Sequence, residues 1–271
     1  MEKIQQAIER ARAQRAQAVP AQIVTQEDEE KLEPVVEQTR QFEAAKSFTP
    51  NLAHLEAHRI LNDNSAPEVK QSYKLLRTRL LQKIKQNNWK SIAVVSALKS
   101  EGKSTVAINL AISLAKDMQH TAMLIDLDLI NPCIHRYFGY QPELALSDYF
   151  QKNISLDQCL FSPGVNSLVV APAGELKNTS SEYLASDQAK VLAQEVSQRY
   201  LNRVVIYDLP PLLASDDALA FLPNVDAVLM VVREGGSSKA DIRQAMDMLS
   251  EYDLAGVVMN DAQNANPQAY S

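Results

Sequence analysis

The stretch Ser91 to Thr105, SIAVVSALKSEGKST, constrains this chain more than any other, together with the apolar segment that follows it. Ile92, Ala93, Val94 and Val95 make a short continuous apolar run, the pattern of a strand buried on both faces. A tight turn follows, then Gly102-Lys103-Ser104-Thr105, after which Val106, Ile108, Leu110, Ala111, Leu114 and Ala115 recur at helical spacing. Strand, turn, Gly-Lys-Ser and helix make a phosphate-binding loop. Backbone N–H groups and a helix N-terminus face an anion, the lysine adds a positive charge, and the serine hydroxyl can reach Mg²⁺. The textual fit is incomplete, because the pattern G-x-x-x-x-G-K-[ST] asks for glycine where this chain has Ala97. Read alone, the string could be a helix cap after a buried strand. Two carboxylate motifs downstream decide against that.

The first is Leu124-Ile125-Asp126-Leu127-Asp128 and the second is Val204-Val205-Ile206-Tyr207-Asp208, each an apolar run ending in aspartate. A carboxylate leaving a buried strand beside a phosphate loop holds Mg²⁺ directly or through water. With two at 126 and 128, one can attend to the metal while the other accepts a proton from an attacking hydroxyl. Isolated aspartates often only cap turns. Three at one sheet edge are harder to explain that way.

Further apolar runs at 122–125, 168–170, 204–206, 227–232 and 256–259 alternate with helical segments at 186–200, 215–221 and 239–252. Such alternation predicts an α/β domain, a mostly parallel sheet with helices on both faces and its ligands at the carboxyl ends of the strands. The expected division is an N-terminal extension and acidic linker over 1–63, the α/β domain over 64–262 and a flexible tail over 263–271. In the extension, residues 1–18 read as a short helix with a small apolar face, and 26–46 carry seven acidic residues against three basic ones. Pro67 can start a helix. Val69, Tyr73, Leu76, Leu80 and Ile84 then form one apolar stripe on a segment with seven basic residues and one acid between Glu68 and Lys90. That basic face is either simply solvated or a surface for an acidic partner or a neighbouring subunit.

Composition narrows the function. The 271 residues are 46% hydrophobic, enough for one sizeable α/β core with residues to spare. A net charge of −6 gives no general footprint for nucleic acid. Cys133 and Cys159 belong to no CxxC or Cys/His cluster, which argues against a disulfide scaffold or structural zinc and fits a reducing cytosol. The N-terminus has no apolar core of a secretion signal, and no run approaches the roughly 18–20 residues needed to span a bilayer. A cytoplasmic protein, peripheral to the plasma (inner) membrane through a partner, is the expectation.

The string DLDLINPCIHRYFG at 126–139 resembles the second phosphate-site motif of the bacterial tyrosine kinases of capsule and exopolysaccharide synthesis, the BY-kinases of the CpsD/CapB/Wzc type. Asp126, Asp128, Pro132, His135, Phe138 and Gly139 match D-x-D-x-R-x-P-x-x-H-x-x-F-G. LSDYF from Leu146, APAGELKNTSSEYL ending at Leu184, YDLPPLLASDDALAF from Tyr207, DAVLMVVREG from Asp226 and GVVMN ending at Asn260 follow in the family's order. QSYKLLRTRL from Gln71 is similar to the segment before the kinase domain.

The resemblance implies the P-loop NTPase fold with ATP and Mg²⁺ as cofactors. Backbone groups of Ser100, Glu101, Gly102, Lys103, Ser104 and Thr105 would cradle phosphates, with Lys103 on the β and γ phosphates. Ser104, Asp128 and Asp208 would hold the metal. Asp126 would be a metal partner or general base, and Asn260 a contact for adenine. It implies γ-phosphoryl transfer to tyrosine, often between subunits of a ring joined through the 68–85 helix, under a membrane polysaccharide co-polymerase or chain-length determinant. Tyr270, alone in its tail, is the candidate phosphoacceptor.

Lys99-Ser100 stands where the family usually has Pro-Gly, and Ile130-Asn131 where it has arginine. If position 100 takes positive φ, serine there costs roughly 1 kcal/mol. The main reading is thus a protein-tyrosine autokinase regulating polysaccharide polymerisation and export. The alternative is a nucleotide-binding, ATPase-type regulator of the co-polymerase without transfer to tyrosine.

Overall fold

The computed structural model describes residues 45–176, 178–198 and 202–263. The expected helix at 1–18, the acidic stretch to residue 44 and the tail with Tyr270 lie outside the described residues. Within them the chain runs β1 (Lys46–Ser47), α1 (Leu52–Ala57), α2 (Pro67–Asn87), β2 (Ser91–Ser96), α3 (Lys103–Ala115), β3 (Thr121–Asp126), α4 (Ile134–Phe138) and α5 (Leu146–Lys152). It continues through β4 (Phe161–Ser162), β5 (Leu168–Ala171), α6 (Ser180–Leu184), α7 (Asp187–Gln198), β6 (Arg203–Asp208), α8 (Asp217–Phe221), β7 (Ala227–Arg233), α9 (Lys239–Met248) and β8 (Leu254–Asn260).

These strands form one sheet in the order β1-β4-β5-β3-β6-β2-β7-β8, parallel throughout except for the β4–β5 pair. The apolar runs are strands because alternate residues feed two separate cores. Ile92, Val94, Leu124, Ile206 and Leu229 face α2 and α3. Ala93, Val95, Met123, Val205 and Met230 face the other layer, which includes Leu146 of α5, Leu192 of α7, Phe221 of α8 and Ala245 of α9. A strand covered on both faces has no polar side, so it reads as a continuous apolar run.

The helix behind the phosphate loop, α3, is almost wholly buried, polar Asn109 and Ser113 included. Its outer side is roofed by α2, where Leu80 and Ile84 are buried while Val69 at the far end of the stripe is 43% exposed. Burying each such side chain contributes about 2 kcal/mol. Pro67 occupies the first turn of α2 as expected, and Asn88 closes it in a left-handed conformation. Arg77 Nη1 donates to Ser113 O, and Ser113 Oγ to Tyr73 O, so part of the basic helix is bolted to α3.

One boundary differs from the sequence expectation. Residues 46–63 do not behave as linker. Lys46 and Ser47 pair with Phe161 and Ser162, while Ile60 and Leu61 are buried among the α2–α3 core. The amide of Asn109 explains why: it accepts from Leu61 N at 2.8 Å and donates to Arg59 O at 3.0 Å, satisfying backbone that no periodic pattern announces.

Candidate functional site

Three neighbouring strands carry the chemistry. β6 lies between β3 and β2, with Asp126 in register with Asp208 and Asp208 in register with Val94. Strand register alone therefore sets the two carboxylates side by side at the carboxyl edge, next to the turn leaving β2.

That turn is shaped by two left-handed residues, Ser100 at φ 63 and Gly102 at φ 85. Gly102 is the N-cap of α3, and its carbonyl accepts the first helical bond from Val106 N. A Cβ on Gly102 would lie 2.0 Å from Asn260 Nδ2, so the position needs glycine for space as well as conformation. Asn260 Nδ2 donates to Glu101 O at 2.9 Å, so its side chain grips the loop. The adenine contact assigned to it from sequence is a different task from the one its side chain performs here.

Lys103 Nζ lies 3.2 Å from Asp128 Oδ2, 3.5 Å from Asp208 Oδ1 and 3.3 Å from Ser104 Oγ. All three partners are buried, Asp208 completely. Burial alone would lower the lysine pKa, but the charges of Asp208 and Asp128 outweigh it and hold the ammonium above its ordinary range. The ammonium is thus fixed as a cation. One oxygen, Asp208 Oδ2, is buried without a hydrogen-bond partner. An orphaned carboxylate oxygen beside a buried serine hydroxyl and a second carboxylate suits a hard divalent cation. Mg²⁺ is usually held by one or two carboxylates with phosphate and water, rather than by an all-protein cage. Among the described residues no group of three His, Cys, Asp or Glu could form such a cage.

Asp126 behaves otherwise. Its Oδ1 accepts from Asp128 N at 3.1 Å, and its Oδ2 from Cys133 N and Ile134 N, both at 3.0 Å. The carboxyl group knots the 128–134 loop around itself and anchors the start of α4. Burial, then the charge of Asp208, pushes its pKa up to about 7, against the opposing pull of those backbone donors and Lys103. Asp128 Oδ1 accepts from Asn131 N, leaving Oδ2 towards Lys103.

Ser104 and Thr105 lie in the first turn of α3, Ser104 buried and Thr105 half-buried. Ser104 Oγ also receives the Cys133 thiol at 3.3 Å, a neighbour no motif foretold. Glu101 was expected to act through its backbone. Its side chain is 2% exposed and accepts from Leu98 N at 3.0 Å and from Ser237 Oγ. The sequence gives no sign of that last contact: a Ser-Ser pair ahead of a helix reads only as an N-cap, a role Ser238 fills.

Comparison with known proteins agrees with this geometry. Residues 87–270 match the family described as ParA, NUBPL iron-transfer P-loop NTPase. Tyrosine-protein kinase YwqD of Bacillus subtilis is 31% identical over 192 residues, covering 70% of this chain and 80% of that protein. Tyrosine-protein kinase etk of Escherichia coli is 26% identical over 77% of this chain, a match spanning 29% of etk. Among solved structures, the chimerical protein CapA2B2 superposes with a TM-score of 0.68 at 23% identity, over 79% of this chain and 92% of that one. Fold, site and relatives agree: the chain belongs to the bacterial tyrosine-kinase family of P-loop NTPases.

Proposed function

We propose that this protein transfers the γ-phosphoryl group of ATP to tyrosine, its own or a neighbouring copy's, in the control of capsule or exopolysaccharide assembly. The observation that carries this reading is the convergence of Lys103 with Asp128 and Asp208 at the carboxyl edge, in a chain whose relatives are named tyrosine kinases. The same relatives disfavour a nucleotide-gated regulator without transfer.

Backbone N–H groups of 100–105 and the α3 N-terminus would receive the phosphates, with the Lys103 ammonium beside them. Ser104, Asp128 and Asp208 would hold Mg²⁺, which would supply charge neutralisation on the phosphates. Asp126 orders the 128–134 loop, so that Asp128 is presented at a fixed height above the sheet. With Asp128 and Asp208 assigned to the metal, Asp126, whose pKa is raised by burial, is the carboxylate left to receive the tyrosine proton.

The partner is a membrane polysaccharide co-polymerase, which brings the kinase to the cytoplasmic face of the membrane. Among the described residues no helix is long and apolar enough to cross one. Copies associate through the 68–85 helix, whose N-terminal half leaves Val69 and Leu75 exposed.

The test is phosphotyrosine mapping by mass spectrometry after incubation with Mg-ATP, with and without the partner's cytoplasmic segment. Wild type should acquire phosphotyrosine, with Tyr270→Phe losing it if Tyr270 is the acceptor, and Lys103→Met should acquire none. Removing one partner of a buried ion cluster can cost about 3–5 kcal/mol. Lys103→Arg, which keeps the charge, therefore runs alongside to separate lost chemistry from lost fold. Wild type without phosphotyrosine under both conditions would sink the kinase reading.

A further inference from the structure

The phosphate loop of this chain contains an unresolved conflict between sequence and shape. Ser100 is left-handed at φ 63, a conformation that costs a residue with a Cβ and is free for glycine. Such strain persists only where the surroundings over-determine it. The nearest determinant is Glu101, whose carboxylate reaches back over Ser100 to accept from Leu98 N at 3.0 Å. Ser96 Oγ donates to Leu98 O at 2.8 Å, closing the base of the same loop.

Glu101 is in turn held from outside. Its second oxygen accepts from Ser237 Oγ in the turn between β7 and α9, and its carbonyl accepts from Asn260 Nδ2 at the end of β8. Ser237 is itself fixed by its neighbour. Ser238 Oγ accepts from Asp241 N at 3.2 Å, and Asp241 Oδ2 accepts from Ser238 N at 2.9 Å, a reciprocal cap that starts α9. A rigid helix start thereby presents a hydroxyl to a buried carboxylate, and that carboxylate spans the strained residue.

We propose that Ser237 is a positioning residue of the phosphate loop: acting through Glu101, it holds the loop in the left-handed shape that Ser100 resists. The proposal rests on the nucleotide-binding reading of the loop. It goes beyond that reading by giving the turn after β7 a part in the affinity of a site it does not line with motif residues.

The test measures the Kd of full-length protein for Mg-ATP by titration calorimetry, with thermal unfolding of each variant as control. Ser237→Ala should weaken binding about tenfold, the scale of one hydrogen bond to a charged group, with little change in melting temperature. Ser237→Thr, which keeps the hydroxyl, should bind close to wild type. In a Ser100→Gly background, where the loop takes its shape unaided, Ser237→Ala should cost about threefold or less. Three results would overturn the proposal: wild-type affinity in Ser237→Ala, the same tenfold loss in the Ser100→Gly background, or no rescue by threonine. Wild type that binds no nucleotide would bring down the nucleotide reading along with it, whereas binding that ignores Ser237 brings down this inference alone.

Discussion

Asp126 and Asp128 stand two residues apart and do different work. One is sealed among backbone N–H groups, the other is turned to an ammonium. Their neighbour His135 carries a quieter signal. Its Nδ1 is buried without a partner, and burial, then the charge of Arg136, lowers its pKa. The folded chain therefore binds this proton less readily than the unfolded chain, whose histidine titrates near 6.5. Stability from His135 is fully present above that value and is lost as pH falls from it through the lower folded pKa. Melting temperature measured from pH 8 to pH 5 should drop more steeply for wild type than for His135→Gln. Equal slopes would remove His135 from the account. Lys103 was legible in sequence from Gly-Lys-Ser after a buried strand, and Asp128 and Asp208 because each closes an apolar run. The task of Asp126 was not, since it depends on how the following eight residues fold back over it.

At the scale of elements, what was legible largely followed length, the five-residue α8 expected over 215–221 being the exception. The helices over 67–87, 103–115, 187–198 and 239–248 show their period in sequence. The single turns or two-turn pieces at 134–138, 146–152 and 180–184 are too short to show one. The edges of β2, β3, β5, β6 and β7 were legible to within a residue or two, because burial on both faces leaves their middles apolar, whereas the two-residue β1 and β4 were not. What joins elements was not legible. Asp226 Oδ2, for instance, accepts from Lys90 N, Ser91 N and Ser91 Oγ, pinning the starts of β7 and β2 together. Asn109 does the same between α3 and the segment before α2. Asn109→Ala should leave Leu61 N without a partner in a buried place and Arg59 O without its amide, and cost about 1–3 kcal/mol in urea unfolding. An unchanged midpoint would mean that water replaces the amide.

For the whole molecule, the folded unit reaches further towards the N-terminus than its apolar periodicity suggests. Ile60 and Leu61 complete the core between α2 and α3, and Lys46 and Ser47 add an edge to the sheet. A chain beginning at residue 64 should be less stable than one beginning at residue 45 by about 3 kcal/mol or more, from two apolar side chains returned to water. Denaturant midpoints of the two chains would decide, and equal midpoints would restore 46–63 to the linker. On the opposite edge strand, Val257 and Met259 of β8 are 55% and 63% exposed among the described residues.

The burial of α3 on every side carries a dynamic meaning. Beyond its first turn, its amide protons can meet solvent only when the whole unit opens, so they should exchange at the rate of global unfolding. The turns at 98–102 and 234–238 and the loop at 128–133 are tied by a few side-chain bonds, and they can open far more often. Under the proposed ATP-dependent transfer, nucleotide would then enter and leave through local opening of these rims around a fixed helix. The loops would set the timing of that exchange, while strand pairing holds the three strand ends in register beneath them.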